Sequence, residues 1–170
     1  MYNEAAKRIK PVRECPLQAF VTDKFQLFDT IETILKEVGP CQMIITSFSI
    51  SEEFIRKIYR FKEAGRILAA SVVIDHKASA KVSKLLNFAG NVFEAVYLGS
   101  NHSKVVLLWN ENSHSQVAII TSQNLTRGNR QESTVITTDL QVYLDLAQDV
   151  AAITDNAVQI CNTPMNNYPK

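Results

Sequence analysis

The chain has few of the residues that build metal centres, disulfide frameworks and flexible linkers. Its 170 residues include three cysteines, three histidines, five glycines and five prolines. These cysteines and histidines are Cys15, Cys41 and Cys161, and His76, His102 and His114. The cysteines form no Cys-x-x-Cys pair, and no two histidines stand four residues apart with an acid between them. We therefore expect no cofactor or metal, and we expect free thiols in a reducing compartment.

Long apolar runs are also missing. No stretch approaches the ~20 apolar residues that a membrane-spanning helix requires. The first four residues, Met1 to Glu4, do not begin the apolar core of a secretory signal. The sequence therefore predicts a cytoplasmic protein with no membrane partner.

An excess of charge of one sign is absent as well, because the net charge is only +1. Any surface that binds nucleic acid must therefore be local. One candidate is an N-terminal run of basic residues, which is alternatively a solvated tail: Lys7, Arg8, Lys10 and Arg13. The composition, 46% hydrophobic and 21% charged, fits one globular domain over residues 1–170, with residues 1–15 as an extended or helical arm.

The apolar pattern alternates between helix-like and strand-like segments. Helical spacing predicts helices over 24–38, from a cap at Ser51 to Gly65, over 79–89 and over about 140–158. Strand patterns cover 43–48, 67–74, 92–98, 102–109, 116–122 and about 132–138. Strand–helix alternation followed by hairpins predicts an α/β fold, with a mixed, mostly parallel β-sheet flanked by helices on both faces.

The hairpin predicted from the strands 102–109 and 116–122 brings polar side chains together. Alternate residues of a strand share a face, so His102 lies with Lys104, and Ser122 lies with Asn124. Paired strands would gather an imidazole, an ammonium, a hydroxyl and a carboxamide. This set suits phosphodiester chemistry, which needs a nucleophile or acid, a fixed positive charge and neutral donors for the phosphate oxygens.

These residues resemble the signature of the phospholipase D superfamily. That signature reads His-x-Lys, four residues, Asp, six residues, Gly-Ser-x-Asn. Here it begins with His102 and Lys104 and ends with Ser122 and Asn124. Glu132 lies downstream, where many nuclease members of the family carry a glutamate. The order of strands and helices extends the resemblance over most of the chain.

The chain departs from this signature in three places. Trp109 stands at the Asp position and Thr121 at the Gly position. The polar hairpin 110–115 makes the distance from Lys104 to Asn124 five residues longer, which a hairpin loop tolerates. In the family the Asp acts chiefly as a structural buttress, and nuclease-like branches lack it. We expect Trp109 to be a packing residue that fills the same space.

A single copy of the motif implies an oligomer. The family's active site needs two histidines that face each other, and this chain supplies one. The resemblance therefore implies the small endonuclease branch, in which two identical subunits share one central site across a two-fold axis. It also implies a metal-independent phosphodiesterase that acts on nucleic acid, with DNA the first choice and RNA the second.

The resemblance further implies a role for each residue. One His102 attacks phosphorus and forms a phosphohistidine, and His102 of the partner subunit protonates the leaving oxygen and then activates water. Lys104 and Asn124 hold the non-bridging oxygens, and Ser122 donates a further hydrogen bond. Glu132 accepts a hydrogen bond from the distal imidazole nitrogen and so orients the ring.

Each of these residues also has an ordinary structural interpretation. His102 fits a surface or hydrogen-bonded strand histidine, and Lys104 fits a charge that protects a sheet edge. Ser122 and Asn124 fit turn or helix-cap residues, and Glu132 fits an exposed strand acid.

The sequence leaves open both the substrate and the class of function. Arg127 and Arg130, just past the motif, are candidates to grip a nucleic-acid backbone, or are solvated loop arginines. A phospholipase would need an exposed apolar rim or an amphipathic anchor, and the sequence offers no such segment. A dimeric nucleic-acid-binding module that is weakly active or inactive is the remaining alternative.

Overall fold

The computed structural model describes residues 4–79 and 83–162, in which one eight-stranded sheet is flanked by helices. The helices are α1 (Glu4–Arg8), α2 (Leu27–Val38), α3 (Glu52–Glu63), α4 (His76–Ser79), α5 (Ser83–Gly90) and α6 (Leu140–Asp155). The strands are β1 (Leu17–Thr22), β2 (Cys41–Ser47), β3 (Ile67–Asp75), β4 (Ala95–Gly99), β5 (Val105–Asn110), β6 (Ser115–Thr121), β7 (Glu132–Thr137) and β8 (Val158–Asn162).

The strand order is β1-β7-β6-β5-β2-β3-β4-β8. Among the described strands, β3 pairs in parallel with β2 and with β4, and the other five pairs are antiparallel. The predicted mixed sheet with helices on both faces is confirmed, but the prediction that the sheet is mostly parallel is wrong. The reason is that β5, β6 and β7 follow one another as hairpins, and both edge strands pair antiparallel to their neighbours.

Each face of the sheet carries its own apolar core. On one face α2 and α3 pack together, with the ring of Phe28 edge-on to Phe54 and Phe61 at centroid distances of 5.8 and 5.0 Å. On the other face Tyr143 and Val150 of α6 pack on apolar residues of β2, β3, β5 and β6. Burial of these two faces removes apolar surface from water and so stabilises the central strands of the sheet.

The first two long helices form largely where their apolar spacing predicts them. Ser51 caps α3 by accepting a hydrogen bond from the backbone N–H of Phe54 at 3.3 Å, and Gly65 follows the helix with a φ of +66°. The helix predicted over 24–38 begins later, at Leu27, after the N-cap Gln26. The helix predicted over 79–89 corresponds to α5, and it meets α4 only at Ser79; its residues 80–82 lie outside the described residues.

The two edge strands have no counterpart among the predicted elements. In β1 the polar Gln18 and Thr22 are buried while the apolar Leu17 and Val21 are exposed, the reverse of the usual alternation. The helix predicted over about 140–158 ends earlier, at Asp155, and strand β8 begins at Val158.

The described part of the N-terminal arm begins with the helix α1 and is docked on the domain. Ala5, Ile9 and Val12 are buried in the same core as α2. The backbone N–H of Val12 donates a 2.8 Å hydrogen bond to the carboxylate of Glu37. The segment is therefore held in place, although the side chains of its basic residues are exposed.

Two of the three cysteines have described side chains, and both are free thiols. Cys15 and Cys41 form no disulfide, and the side chain of Cys161 lies outside the described residues. Burial raises the pKa of the Cys41 thiol to about 12, which leaves it protonated and unreactive near neutral pH. Within residues 4–79 and 83–162, no helix has the length and apolar character needed to cross a bilayer.

Candidate active site

The five predicted site residues gather at one end of the sheet, beyond the carboxyl ends of β2, β3 and β4. His102 and Lys104 lie in the segment that enters β5, Ser122 and Asn124 follow β6, and Glu132 is the first residue of β7. Since β5, β6 and β7 are neighbours joined as hairpins, these segments meet at the same end of the sheet.

Lys104 is buried, with 9% of its surface exposed, and it holds the neighbouring histidine. Its Nζ donates a 2.7 Å hydrogen bond to the backbone oxygen of His102 and lies 3.3 Å from Nδ1 of the same residue. Burial lowers the pKa of the Lys104 ammonium, and the negative charge of Glu132 partly opposes this shift. The positive charge is thus fixed at the base of the site.

The imidazole of His102 is exposed and rests beside the ring of Phe48. The two ring centroids are 5.2 Å apart and the ring planes are inclined by 53°. An ammonium group can only donate, so Nδ1 accepts from Lys104 and a neutral His102 ring carries its proton on Nε2. In the chain on its own, Lys104 therefore selects this tautomer.

A buried hydrogen-bond network fixes the backbone at the start of the motif. Asn101 is 4% exposed, and its N–H donates to Oδ2 of Asp75 at 3.0 Å. Its side-chain amide donates to the backbone oxygen of Ser47 at 3.2 Å. Its Oδ1 accepts from the N–H and the hydroxyl of Ser103 at 3.2 and 2.6 Å. The segment is thereby tied to the ends of β2 and β3.

Asn124 lies against the end of β2. The buried hydroxyl of Ser47 is 3.3 Å from Oδ1 of Asn124 and 2.8 Å from the backbone oxygen of Ser49. The same hydroxyl accepts the backbone N–H of Leu125 at 3.2 Å, and the N–H of Ser51 donates to the Leu125 oxygen at 2.9 Å. The turn that carries Asn124 is therefore attached both to β2 and to the start of α3.

Glu132 and Ser122 are joined by a hydrogen bond. The hydroxyl of Ser122 donates to Oε2 of Glu132 and accepts the backbone N–H of Ser133 at 3.0 Å. Within one chain, Glu132 thus engages Ser122 and faces the charge of Lys104. A hydrogen bond from the His102 ring to Glu132 is not among the contacts of the described residues, so the orienting role of Glu132 stays a prediction.

Both substituted positions of the signature are accommodated by the fold. Trp109 is 4% exposed and packs beneath α6 in the same apolar cluster as Tyr143, so the expectation that it is a packing residue is confirmed. At the Gly position, the hydroxyl of Thr121 donates to the backbone oxygen of Ser133 at 2.8 Å and lies 2.9 Å from that of Thr134.

The two arginines lie in the exposed loop that follows the motif. Arg127 lines a groove of about 630 Å³ that also touches Asn124 and the starts of α2 and α3, and Arg130 is exposed elsewhere in the loop. The charged side chains around the groove are more often acidic than basic: Glu4, Asp23, Asp29, Glu32 and Glu53, with Lys24, Lys57 and Arg127. The groove therefore gives a phosphate backbone no added attraction. The binding of a nucleic-acid backbone by Arg127 and Arg130 stays a prediction.

The described side chains offer acid–base and hydrogen-bonding chemistry at this end of the sheet. Among residues 4–79 and 83–162, no three His, Cys, Asp or Glu side chains converge as a metal site requires. The groups available at the site are an exposed imidazole, a buried ammonium, a carboxamide, a hydroxyl and a carboxylate.

Solved structures with a similar backbone include Nuc from Salmonella typhimurium, described as a phospholipase D family member. It is 13% identical, with a TM-score of 0.66 over 86% of this chain and 98% of its own. The chain has the phospholipase D fold. NucT from Helicobacter pylori is 14% identical, with a TM-score of 0.65 over 85% of this chain and 98% of its own.

Larger proteins share this phospholipase D fold over part of their length. Phosphatidylserine synthase from Haemophilus influenzae is 13% identical, with a TM-score of 0.62 over 86% of this chain and 40% of its own. No family model and no curated protein matches the sequence. The assignment to this fold therefore rests on the similarity of the backbone to these solved structures, together with the motif residues found in the sequence.

The positioning residues around the motif have no signature in the sequence. Asn101, Ser47, Asp75 and Phe48 are single polar or aromatic residues at the ends of strands. Their position is the one signal that could have found them, because α/β folds place ligands beyond the carboxyl ends of parallel strands.

Proposed function

We propose that this chain is a metal-independent phosphodiesterase of the phospholipase D type, most simply an endonuclease that cleaves DNA or RNA at a site shared by two subunits. The observation that carries the proposal is the contact of His102 with Lys104, at the same sheet end as Asn124 and Ser122, in a phospholipase D fold. Nuc and NucT match this chain over 98% of their lengths, so a chain of this size forms the same fold elsewhere.

In the proposed first step, a phosphodiester enters beside the ammonium of Lys104. The carboxamide of Asn124 and the ammonium donate to the non-bridging oxygens and offset the charge that builds up on them. As Lys104 turns towards the phosphate, the ring exchanges its proton with water, losing the proton on Nε2 and gaining one on Nδ1, which leaves a lone pair on Nε2. That nitrogen attacks phosphorus, an N–P bond forms, and the P–O bond to the leaving oxygen breaks.

A second imidazole completes this step. The leaving alkoxide takes a proton from the protonated ring of His102 of the partner subunit, which becomes neutral. In the second step the neutral ring removes a proton from water as the water attacks phosphorus. The N–P bond breaks, and His102 is regenerated with a phosphomonoester as product. One imidazole alone cannot be covalently bound to phosphorus and hold the proton of the leaving group, so the proposal requires two subunits.

Glu132 is proposed to orient an imidazole in the dimer. In a single chain its carboxylate is occupied by Ser122, and Nδ1 of His102 is occupied by Lys104. Once the ammonium moves to phosphate, Nδ1–H needs an acceptor, and a carboxylate is the natural choice. The cytoplasm, as the compartment that holds nucleic acid and free thiols, is the proposed location.

The test is the cleavage of supercoiled plasmid and of single-stranded DNA and RNA in the presence of EDTA. We expect the native chain to cut, and we expect His102→Ala to lower kcat/KM on the order of 10³-fold. His114→Ala is the matched control, because that histidine is exposed in the turn of the β5–β6 hairpin. Equal activity of native chain and His102→Ala would remove the catalytic claim. Salt-dependent nucleic-acid binding without turnover would instead identify a binding module.

A further inference from the structure

An aromatic ring lies beside the candidate nucleophile, outside both apolar cores. Phe48 directly follows the last residue of β2, and its ring centroid is 5.2 Å from that of His102. The residue is partly exposed, and among the described residues it packs against neither of the two apolar clusters that cover the faces of the sheet. Core packing, the usual role of a phenylalanine, therefore does not account for the position of this ring.

The backbone of Phe48 is fixed on both sides. The hydroxyl of Ser47 donates to the backbone oxygen of Ser49 at 2.8 Å, and the same oxygen accepts the backbone N–H of Leu125 at 3.2 Å. Ser47 is fully buried, and its hydroxyl also lies 3.3 Å from Oδ1 of Asn124. The residues before and after Phe48 are thus tied to the turn that carries Asn124. A ring on a fixed backbone binds a flat partner with little loss of conformational freedom.

The imidazole of His102 does not lie flat on the phenyl ring. The two ring planes are inclined by 53°, so the contact is tilted rather than stacked. The phosphorus atom that the imidazole would attack lies next to this pair of rings. In a nucleotide, a single sugar separates the base from its phosphate. A base of the bound substrate therefore comes within reach of Phe48.

Electrostatic attraction offers little to hold a nucleic acid at this site. The net charge is +1, and the groove beside Asn124 carries more acidic than basic side chains. Binding to the phosphate backbone depends on the number of lysines and arginines that neutralise it. Stacking of bases on aromatic side chains is the other common source of affinity for single strands, and it needs no charge. The charge distribution of this chain therefore favours a contact to the bases.

We propose that Phe48 stacks on a nucleobase next to the scissile phosphate, and that the site therefore takes single-stranded nucleic acid. This inference rests on the proposed function, which supplies the scissile phosphate. A base within a duplex is paired and stacked on its neighbours, so it reaches the ring only after extrusion, at a cost in free energy. A single strand presents its bases without that cost. Phe48 determines specificity in this scheme, while His102 and Lys104 carry out the chemistry.

The experiment compares substrates that have bases with substrates that lack them. The substrates are dinucleotides with one internal phosphate, in DNA and RNA form, and the same molecules with hydrogen in place of both bases. Phe48→Leu keeps an apolar side chain beside the imidazole and removes the flat ring. We expect this variant to lower kcat/KM about 10- to 100-fold on the dinucleotides, mainly through KM, and to cleave the base-free molecules as the native chain does. Phe48→Trp, which keeps a flat ring, should keep the preference for the dinucleotides.

Tyr59→Leu is the matched control. Tyr59 is 47% exposed on α3, about two turns beyond the cap at Ser51, and its substitution likewise removes an exposed ring. We expect this variant to cleave both kinds of substrate as the native chain does. Equal losses by Phe48→Leu on both kinds would show that the ring only supports His102, and would overturn the stacking contact, as would no loss on either kind. A native chain that cuts a duplex as fast as a single strand of the same sequence would overturn the requirement for an unpaired base.

A binding measurement separates this inference from the proposed function. If the native chain cleaves no phosphodiester, fluorescence anisotropy measures its affinity for end-labelled single-stranded oligothymidine and for an abasic strand of the same length. Weaker binding of the abasic strand by the native chain, but not by Phe48→Leu, would support the stacking contact and remove only the catalytic claim. Equal affinity of the native chain for the two strands, or binding to neither, would overturn the stacking contact.

Discussion

The Nζ atom of Lys104 donates a 2.7 Å hydrogen bond to the backbone oxygen of His102 and lies 3.3 Å from Nδ1 of the same residue. One ammonium thus holds both the backbone and the ring of the residue two positions before it. In the proposed first step the ammonium gives up its contact with Nδ1 and directs that donor to a phosphate oxygen. The two residues act as one unit, in which the position of the lysine sets the tautomer of the histidine.

The first prediction concerns catalysis by this unit. Lys104→Met keeps the apolar stem of the side chain and removes the charge, so we expect kcat/KM for DNA cleavage to fall on the order of 10³-fold. Lys36→Met is a suitable control because Lys36 is exposed in the last turn of α2, at the end of the sheet opposite the site. Activity of Lys104→Met within a factor of two of the native chain would show that no phosphate oxygen depends on this ammonium.

The second prediction concerns stability and pH. Burial lowers the pKa of Lys104 in the folded chain below its ordinary value of 10.5. Between the lowered pKa and 10.5 the unfolded chain binds more protons at this residue than the folded chain does, so the free energy of unfolding rises with pH. Urea unfolding from pH 7 to pH 10 should therefore show the native chain gaining stability relative to Lys104→Met. Parallel curves for the two proteins would contradict this assignment.

The longer helices and the β5–β6 hairpin of this fold are predictable from the sequence, and the edge strands are not. The apolar spacing of α3 and its cap at Ser51 predict that helix because both act locally. In β1, by contrast, Gln18 is buried because its amide donates to the backbone oxygens of Lys10 and Cys15. Burial of this polar side chain is decided by its contacts with the N-terminal arm, and it reverses the alternation on which strand prediction depends.

A third prediction follows from Trp109. Trp109→Asp restores the residue type of the family signature but places a carboxylate in an apolar cluster beneath α6. We expect a loss of about 3–5 kcal/mol in the free energy of unfolding, from the lost packing and the buried charge. We expect no gain in activity. Trp109→Phe, which keeps most of the packing, should lose much less. Denaturant unfolding of the two variants measures the difference, and a Trp109→Asp protein as stable as Trp109→Phe would contradict the packing role.

A fourth prediction addresses the buried network before the motif. Asn101→Ala removes the hydrogen bonds to Ser103 and to the Ser47 oxygen, and so loosens the backbone that carries His102. We expect kcat to fall about 10- to 100-fold with a smaller change in KM, because positioning is lost and the substrate-binding groups remain. Asn112→Ala, in the exposed turn of the β5–β6 hairpin, is the control. An unchanged kcat in Asn101→Ala would show that the network serves stability alone.

Some residues of the candidate site are predictable from the sequence, and others come together only in the assembled fold. The motif from His102 to Asn124 is compact, and strand periodicity with hairpin pairing is enough to bring its ends together. Asn101, Asp75 and Ser47 come from separate segments that meet only when β2, β3 and β5 are assembled. Their spacing along the chain carries no pattern, so their role could not be read from it.

The most direct test of the shared phosphohistidine site is the covalent intermediate itself. The native chain is mixed with a dinucleotide that carries ³²P in its single internal phosphate, and the reaction is stopped within its first turnover. We predict a labelled protein with the phosphorus on His102, in a ratio approaching one label for every two chains. Label on another residue, no label during turnover, or one label on every chain would contradict the account.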